Sequence, residues 1–436
     1  MIKRLFDIIG SLFGLIVFSP LLLVLYFAIR RDMGAPVLFR QIRPGKDGKP
    51  FEMVKFRSMR DAVDADGNAL PDAERLTPLG RKLRSSSADE LPELWNVLKG
   101  EMSLVGPRPL LMEYLPYYTH QERQRNRIQP GITGLAQVYG RNRTPWNKRL
   151  ALDLDYVENQ TFLLDLKIIF KTLQNVVKRE NVVTDPRTIM QDLNVERAQL
   201  IEIRPLEIHE LQSAADLIAA EYTPDHYSCT IISSPKLGLF FADHLIKQDE
   251  FWGAFRNAKL IGVMQLRQRE DDVHLNNIAV KRDEQGWGIA DLLMKQFHKN
   301  YPNRKKSLFL DSRNSKARRF YERYGYKLSG VEKMVELRAT APKAPTALIF
   351  KDKKQIDRYG IGFLTDVKGN IQIGYITPDR LAVPIEAGPS GLKQALNWRE
   401  GARIWAPAVL TDQQSDLTIQ AQWDKMEFVK NDHILV

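Results

Sequence analysis

The sequence predicts an α+β chain of several domains set behind a membrane-inserted helical segment. Three observations carry that expectation. The chain has 436 residues, too many for one ordinary hydrophobic core. Residues 5–29, LFDIIGSLFGLIVFSPLLLVLYFAI, form an apolar run long enough to enter a bilayer. After it, strand-like and helix-like patterns alternate, and then short strand-like pieces take over toward the C-terminus. The chain carries 64 Lys and Arg against 53 Asp and Glu, a formal charge of +11. That excess favours anionic partners such as phosphates, nucleotides, nucleic acid or acidic lipid head groups. The single Cys229 excludes an intramolecular disulfide framework and a cysteine-rich zinc site, which fits a reducing compartment. Seven scattered histidines offer no metal-ligand spacing.

The apolar run exceeds the core of a cleavable signal peptide, and no small-residue cleavage site follows it, so it reads as a true membrane segment. Its only charge is Asp7, near the start. Lys3 and Arg4 precede the run and Arg30 and Arg31 follow it, so the charges set no orientation. Pro20 removes a backbone donor and clashes with the preceding turn, which predicts a bend around Ser19-Pro20. A hairpin-like helix that returns to the cytoplasmic face and a kinked spanning helix both satisfy these facts.

Next, VLFRQIRPGKDGKPFEMVKFRSMRD reads as two strands around a Gly/Pro/Lys/Asp turn. Asp64, Asp66 and Asn68 lie in a polar loop that fails as a calcium site, because Ala69 stands where the sharp-turn glycine belongs and Arg75 where the bidentate acid belongs. In SSSADELPEL, residues 85–94, Asp89 and Glu90 precede Pro92 and a helical pattern of Leu91, Leu94, Trp95 and Leu98. Proline fits only in a first turn, so the acids belong at a helix N-terminus. Ser87 with Glu90 matches a capping box, and taken alone that bland reading outweighs catalysis.

The acids keep specific company: SPLL in the apolar run, KFRSM at 55–59, LKGEMSLVGPRPL at 98–110 and QPGITGLAQVYGRNR at 129–143. In this order the motifs resemble the monotopic phosphoglycosyl transferases, the bacterial sugar transferase family, over about residues 1–185. The resemblance implies a re-entrant helix and a localisation at the cytoplasmic face of the bacterial inner membrane. It also implies transfer of a sugar 1-phosphate from a UDP-sugar to undecaprenyl phosphate with release of UMP. Asp89 matches the family's nucleophile, which forms an aspartyl-phosphosugar intermediate, and Glu90 matches its partner acid. Magnesium is expected between Asp89, Glu90 and the diphosphate, since a carboxylate approaching a dianion needs its repulsion neutralised. Lys55, Arg57, Arg84, Arg108 and Arg141 are the candidate phosphate-binding residues. One departure is Gln129, where the family commonly has arginine before PGITG.

Residues 162–179 place Phe162, Leu163, Leu166, Ile169, Phe170, Leu173, Val176 and Val177 on one stripe, suited to an anionic membrane surface or to an ordinary core. The apolar period is lost near residues 185–198. Beyond it come a strand, a helix (HELQSAADLIAAEY), a hairpin around Asn257-Ala258, the strand HLNNIAV and the turn QGWGIA. A strand and NSKARRFYERYGY follow. Residues 200 to about 338 thereby resemble the GNAT acetyltransferase superfamily. That resemblance implies acetyl-CoA bound by Gln285, Gly286, Trp287, Gly288, Ile289 and Ala290, with Tyr321 as general acid. Asn276 and Asn277 occupy the strand where a base is sought, and neither titrates.

The expected domains are a membrane-associated transferase domain at 1–190, a GNAT-like α/β domain at 198–340 and a β-rich module at 345–436. The module carries no chemical signature, and its candidate roles are homo-oligomerisation and substrate selection. The fusion suggests successive steps on one sugar, N-acetylation of an amino-sugar nucleotide and then phosphosugar transfer, with tethering raising the local concentration of the shared intermediate. A GNAT-like module that only binds, and a membrane-anchored protein acetyltransferase, are the other readings. Nucleic acid is not an expected partner, because the basic residues lack interleaved aromatics.

Overall fold

A computed structural model describes residues 2–62, 70–139, 144–177, 191–221, 249–312 and 314–338, and shorter segments between 348 and 430. The calcium-like loop at 64–68 and Arg141 lie outside the described residues. Two compact units emerge, Met1–Leu200 with Gly286–Gly288, and Ile201–Gln285 with Ile289–Val436.

The first unit begins with helices α1 (Ile2–Val17) and α2 (Ser19–Met33), bent by 60° at the break between them. The bend falls where the proline demands it: Pro20 sits in the first turn of α2 and Ser19 Oγ donates to the Ile16 carbonyl at 2.8 Å. Among the described residues no single helix is long and apolar enough to cross a membrane, but the bent pair meets that test of length and composition. One face of α1 is polar or small and docks on the unit. Asp7 is buried and accepts from Ser103 Oγ and Leu104 N, Lys3 pairs with Asp165 at 2.7 Å, and Arg4 donates to the Val97 and Leu98 carbonyls. The opposite face leaves Leu5, Ile9, Leu12, Phe13 and Ile16 exposed.

Strands β1 (Leu38–Pro44) and β2 (Pro50–Phe56) pair antiparallel as expected, turning through Asp47 and Gly48 at positive φ. The short helices α3 (Asp72–Arg75) and α4 (Pro78–Ser86) follow; Thr77 caps α4 by accepting from Gly80 N. Helix α5 (Glu93–Lys99) packs on β2, and Asn96 joins the two, accepting from Val54 N at 3.1 Å and donating to the Glu52 carbonyl at 2.7 Å. Strands β3 (Ser103–Val105) and β4 (Gly131–Thr133) run parallel, and backbone is packed directly on backbone at the GPRP and PGITG motifs. A Cβ on Gly131 would stand 2.0 Å from Gly106 N, so only glycine fits. Helices α6 (Leu135–Tyr139), α7 (Trp146–Glu158), α8 (Phe162–Val177) and α9 (Leu193–Glu196) complete the unit. The apolar stripe of α8 stays largely outside: Leu163, Phe170 and Leu173 are exposed, while Asp165 and Ile168 face the core.

Among the described residues the second unit is built on a 12-stranded sheet which, in the strands given next, runs in the order β11-β12-β13-β14-β15-β10-β16-β9-β8-β7-β6-β5. Its strands are β5 (Glu202–Pro205), β6 (Asp249–Arg256), β7 (Lys259–Gln268), β8 (Val273–Val280), β9 (Lys306–Asp311), β10 (Lys327–Arg338), β11 (Leu348–Phe350), β12 (Gly362–Asp366), β13 (Gln372–Thr377), β14 (Arg380–Ala382), β15 (Arg403–Pro407) and β16 (Ile419–Lys430). Helices α10 (Leu211–Glu221), α11 (Ile289–Asn300), α12 (Ser315–Arg323) and α13 (Gly388–Leu396) accompany them. The β6/β7 hairpin turns at Asn257 and Ala258, both at positive φ, as the sequence predicts. Leu211, Ala214, Ala215 and Ile218 of α10 bury themselves against Phe251, Phe255 and Val263.

The stretch expected as a β-rich module at 345–436 contributes strands to this sheet. The C-terminal strand β16 lies between β9 and β10, pairing antiparallel with both, so the chain between β10 and β16 is an insertion within one sheet. The physical reason is β-ladder completion: β16 satisfies the backbone groups of two strands that would otherwise be open edges.

Candidate active site

Asp89 and Glu90 sit in a single 3-10 turn, Ala88–Glu90, between α4 and α5. The capping box predicted for Ser87 and Glu90 is absent. Ser87 adopts a left-handed conformation, φ 56°, that ends α4, and its side chain makes no cap bond. Glu90 reaches instead for cations, its Oε1 accepting from Lys55 Nζ at 2.8 Å and from Arg108 Nη2 at 2.7 Å. The helix that follows is also turned from the predicted phase. Glu93, Leu94, Asn96 and Val97 are buried, and Trp95 is exposed, because Asn96 is claimed by β2.

Electrostatics separate the two acids. Burial, reinforced by the charge of Glu90, pushes the Asp89 carboxyl above the ordinary carboxylate range. Burial acts the same way on Glu90, but Arg108 and Lys55 outweigh it and hold that carboxyl far below its usual value. Among the described residues the Asp89 carboxylate has no hydrogen bond or ion pair, whereas Glu90 holds two cations. Glu90 is thus held charged by its two cations, while Asp89 is the acid left without a partner among the described residues.

The cations are fixed from behind. Lys55, near the end of β2, also contacts Glu93 Oε1 at 3.0 Å. Arg108 is half-exposed, and its carbonyl accepts from Arg125 Nη2 at 2.6 Å. Arg125 is itself buried against Asp153 at 2.8 Å. Arg84 donates to Ser58 Oγ at 3.1 Å on the KFRSM segment. Arg57 is buried and committed to the Met59 and Pro36 carbonyls and to Asp61, so the structure does not bring it to the acids. Glu93 and Arg125 were not legible as site residues: a first-turn acid reads as helix capping, and an arginine between patterns gives no signal.

Among the described residues no group of three or more His, Cys, Asp or Glu could hold a metal ion. The donor chemistry still fits magnesium, which takes one or two carboxylates and completes its shell with substrate phosphate and water. Asp89 and the second oxygen of Glu90 are the residues that would hold it.

In the second unit, β8 and β9 pair in parallel only over Val273–Leu275 and Lys306–Leu308 and then part. Where β8 ends, Gln285 donates to the Val280 carbonyl and to Glu221; Gly286 and Gly288, which group with the first unit, take φ of 81° and 79° before α11 begins at Ile289. The turn is a glycine-bent strand-to-helix connection of the kind that offers backbone N–H groups to phosphate. Ile289 is buried and Ala290 follows it in the first turn of α11. Asn314 of the downstream motif is an N-cap, accepting from Ala317 N at 3.0 Å. Tyr321, on α12, is buried and packed edge-on against Phe320 and Tyr326. Asn276 donates to Asp249 at 3.3 Å, and Asn277 belongs to the same buried network with Gln265.

The fold and site define a small α/β unit with a pair of adjacent carboxylates, followed along the chain by an α/β unit built on one large sheet. The bacterial sugar transferase family model matches residues 1–179, and the acetyltransferase (GNAT) domain model matches residues 240–337. The uncharacterized sugar transferase EpsL of Bacillus subtilis is 51% identical over 181 residues, which is 42% of this chain and 90% of that protein. The UDP-glucose:undecaprenyl-phosphate glucose-1-phosphate transferase of Caulobacter vibrioides is 39% identical over 189 residues, 41% of this chain and 71% of that protein. The chain spans only about two fifths of several other relatives. Among solved structures, the PaiA N-acetyltransferase of Thermoplasma acidophilum in complex with coenzyme A aligns at TM-score 0.25 and 22% identity, over 30% of this chain and 91% of that one. The chain belongs to the bacterial sugar transferase family and carries a GNAT domain behind it.

Proposed function

We propose that the first unit transfers a sugar 1-phosphate from a UDP-sugar to undecaprenyl phosphate at the cytoplasmic face of the inner membrane. The observation that carries this reading is the division of labour between the acids, Asp89 free and Glu90 tied to Lys55 and Arg108. An Asp89 oxygen attacks the phosphorus bonded to the sugar, and the bond from that phosphorus to the nucleotide phosphate breaks, so UMP leaves with the bridging oxygen. The lipid phosphate then attacks the aspartyl phosphorus, restoring the carboxylate and forming the lipid diphosphate sugar. Lys55 and Arg108 orient and neutralise phosphoryl oxygens, and Arg84 stands one turn upstream on α4. Bound magnesium would neutralise charge between the acids and the diphosphate.

The exposed apolar faces of α1 and α8, with the bend at Ser19-Pro20, support a helix pair that enters one leaflet and returns, beside a helix lying on anionic lipid. For the second unit the proposal is acetyl transfer from acetyl-CoA to the amine of an amino-sugar nucleotide, with the 285–290 turn holding the cofactor pyrophosphate and Tyr321 protonating the thiolate. A second reading, that this unit binds without transferring acetyl, is favoured by Asn276 and Asn277, which cannot titrate and are spent on Asp249 and Gln265. Purified protein given undecaprenyl phosphate, magnesium and a panel of UDP-sugars is expected to release UMP, and Asp89→Asn to release none. Free CoA appearing with a UDP-amino-sugar decides between the two readings of the second unit.

A further inference from the structure

We propose that Glu93 is a positioning residue of the transfer site, holding the Lys55 ammonium on Glu90 so that Asp89 stays free for substrate. This rests on the reading of Asp89 as nucleophile. Glu93 is 2% exposed, on the face of α5 that meets β2. Its carboxylate lies 3.0 Å from Lys55 Nζ, whose other acid partner, Glu90, is at 2.8 Å. Asn96, three residues further along the same helix face, bonds Glu52 and Val54, so α5 and β2 are locked in register immediately beside Lys55. The ammonium is therefore held by two acids whose backbones are fixed relative to its own.

A packing role alone does not account for a carboxylate there. Burying an acid is costly, and a hydrophobic side chain would fill the space between helix and strand more cheaply. What a hydrophobic residue lacks is an acceptor for Lys55. Lysine is a point charge on a flexible four-carbon stem with three donors. Released from Glu93, it retains Glu90 and gains the freedom to pair with the neighbouring Asp89, which would withdraw the nucleophile. Because Glu93 touches no reacting atom, its effect is on the rate of aspartyl-phosphosugar formation and not on donor binding.

The test compares wild type, Glu93→Leu, Glu93→Gln and Asp89→Asn as full-length protein in detergent. UDP-glucose, UDP-galactose and UDP-N-acetylglucosamine are supplied in parallel, and UMP release and the donor KM are measured. Glu93→Leu is expected to lower kcat about 10- to 100-fold, as loss of an outer-shell partner does, with donor KM changed less than about threefold. Glu93→Gln keeps an amide oxygen facing the Lys55 ammonium and is expected to stay within about threefold of wild type. Equal activity of Glu93→Leu and wild type overturns the proposal, as does an equal loss in both Glu93 variants. UMP release by Asp89→Asn, or none by wild type, defeats the nucleophile reading and this proposal with it; the Glu93 arms alone defeat only the latter.

Discussion

Replacing Glu93 by glutamine tests the electrostatics of the site through stability, independently of any substrate. Burial, only partly offset by Lys55 and aggravated by Glu90, pushes the Glu93 carboxyl from 4.5 up to about 7. At about 1.4 kcal/mol per pH unit, the folded protein spends about 3 kcal/mol to ionise it. The cost is absent below pH 4.5, where the acid is protonated in both states, grows as pH rises toward 7, and is complete above that. Glutamine resembles the protonated acid, so the variant should match wild type near pH 4.5 and exceed it at pH 8 by up to about 3 kcal/mol. Hydrogen-exchange protection factors for the amides of β2 and α5, compared in detergent with EDTA across that range, read the difference locally. A pH-independent difference, or a wild type more stable than the variant at pH 8, would refute the upward push on the buried Glu93 carboxyl.

Three further outcomes follow from the packing. Gly131→Ala would drive a Cβ to within 2.0 Å of Gly106 N, so the first unit should lose its cooperative thermal transition, read by near-UV circular dichroism. Arg125→Met leaves Asp153 buried without its partner and removes the donor to the Arg108 carbonyl; the expected cost is about 3 to 5 kcal/mol in denaturant unfolding of that unit. Deleting residues 419–436 strips β16 from between β9 and β10, and the truncated chain should lose CoA binding by isothermal titration, while a separate C-terminal module would leave it intact.

Much of the architecture was legible because it is written in local rules. Pro20 set the bend between α1 and α2, the Gly/Pro/Lys/Asp stretch set the β1/β2 hairpin, and Asn257-Ala258 marked the β6/β7 turn. Motif order drew attention to Asp89, Glu90, Lys55 and Arg108. What local rules could not convey is decided by distant partners. Glu90 left its predicted cap because two cations from β2 and the GPRP segment outcompete a backbone N–H. Trp95 faces outward because Asn96, an unremarkable helix residue in sequence, is claimed by β2. The pairing of β16 with β9 and β10 was not legible because strand pairing over such a sequence separation leaves no local periodicity.

The central claim is that Asp89 becomes a covalent phosphosugar carrier. Exposing the wild-type protein to its UDP-sugar with magnesium but no lipid acceptor, then measuring the intact mass and mapping the modified peptide, tests it most directly. The expected result is a gain of one sugar phosphate on residues 88–99, absent from Asp89→Asn and removed when undecaprenyl phosphate is added. An unmodified wild-type chain that nevertheless turns over with acceptor present, or an Asp89→Asn variant at full turnover, would contradict it.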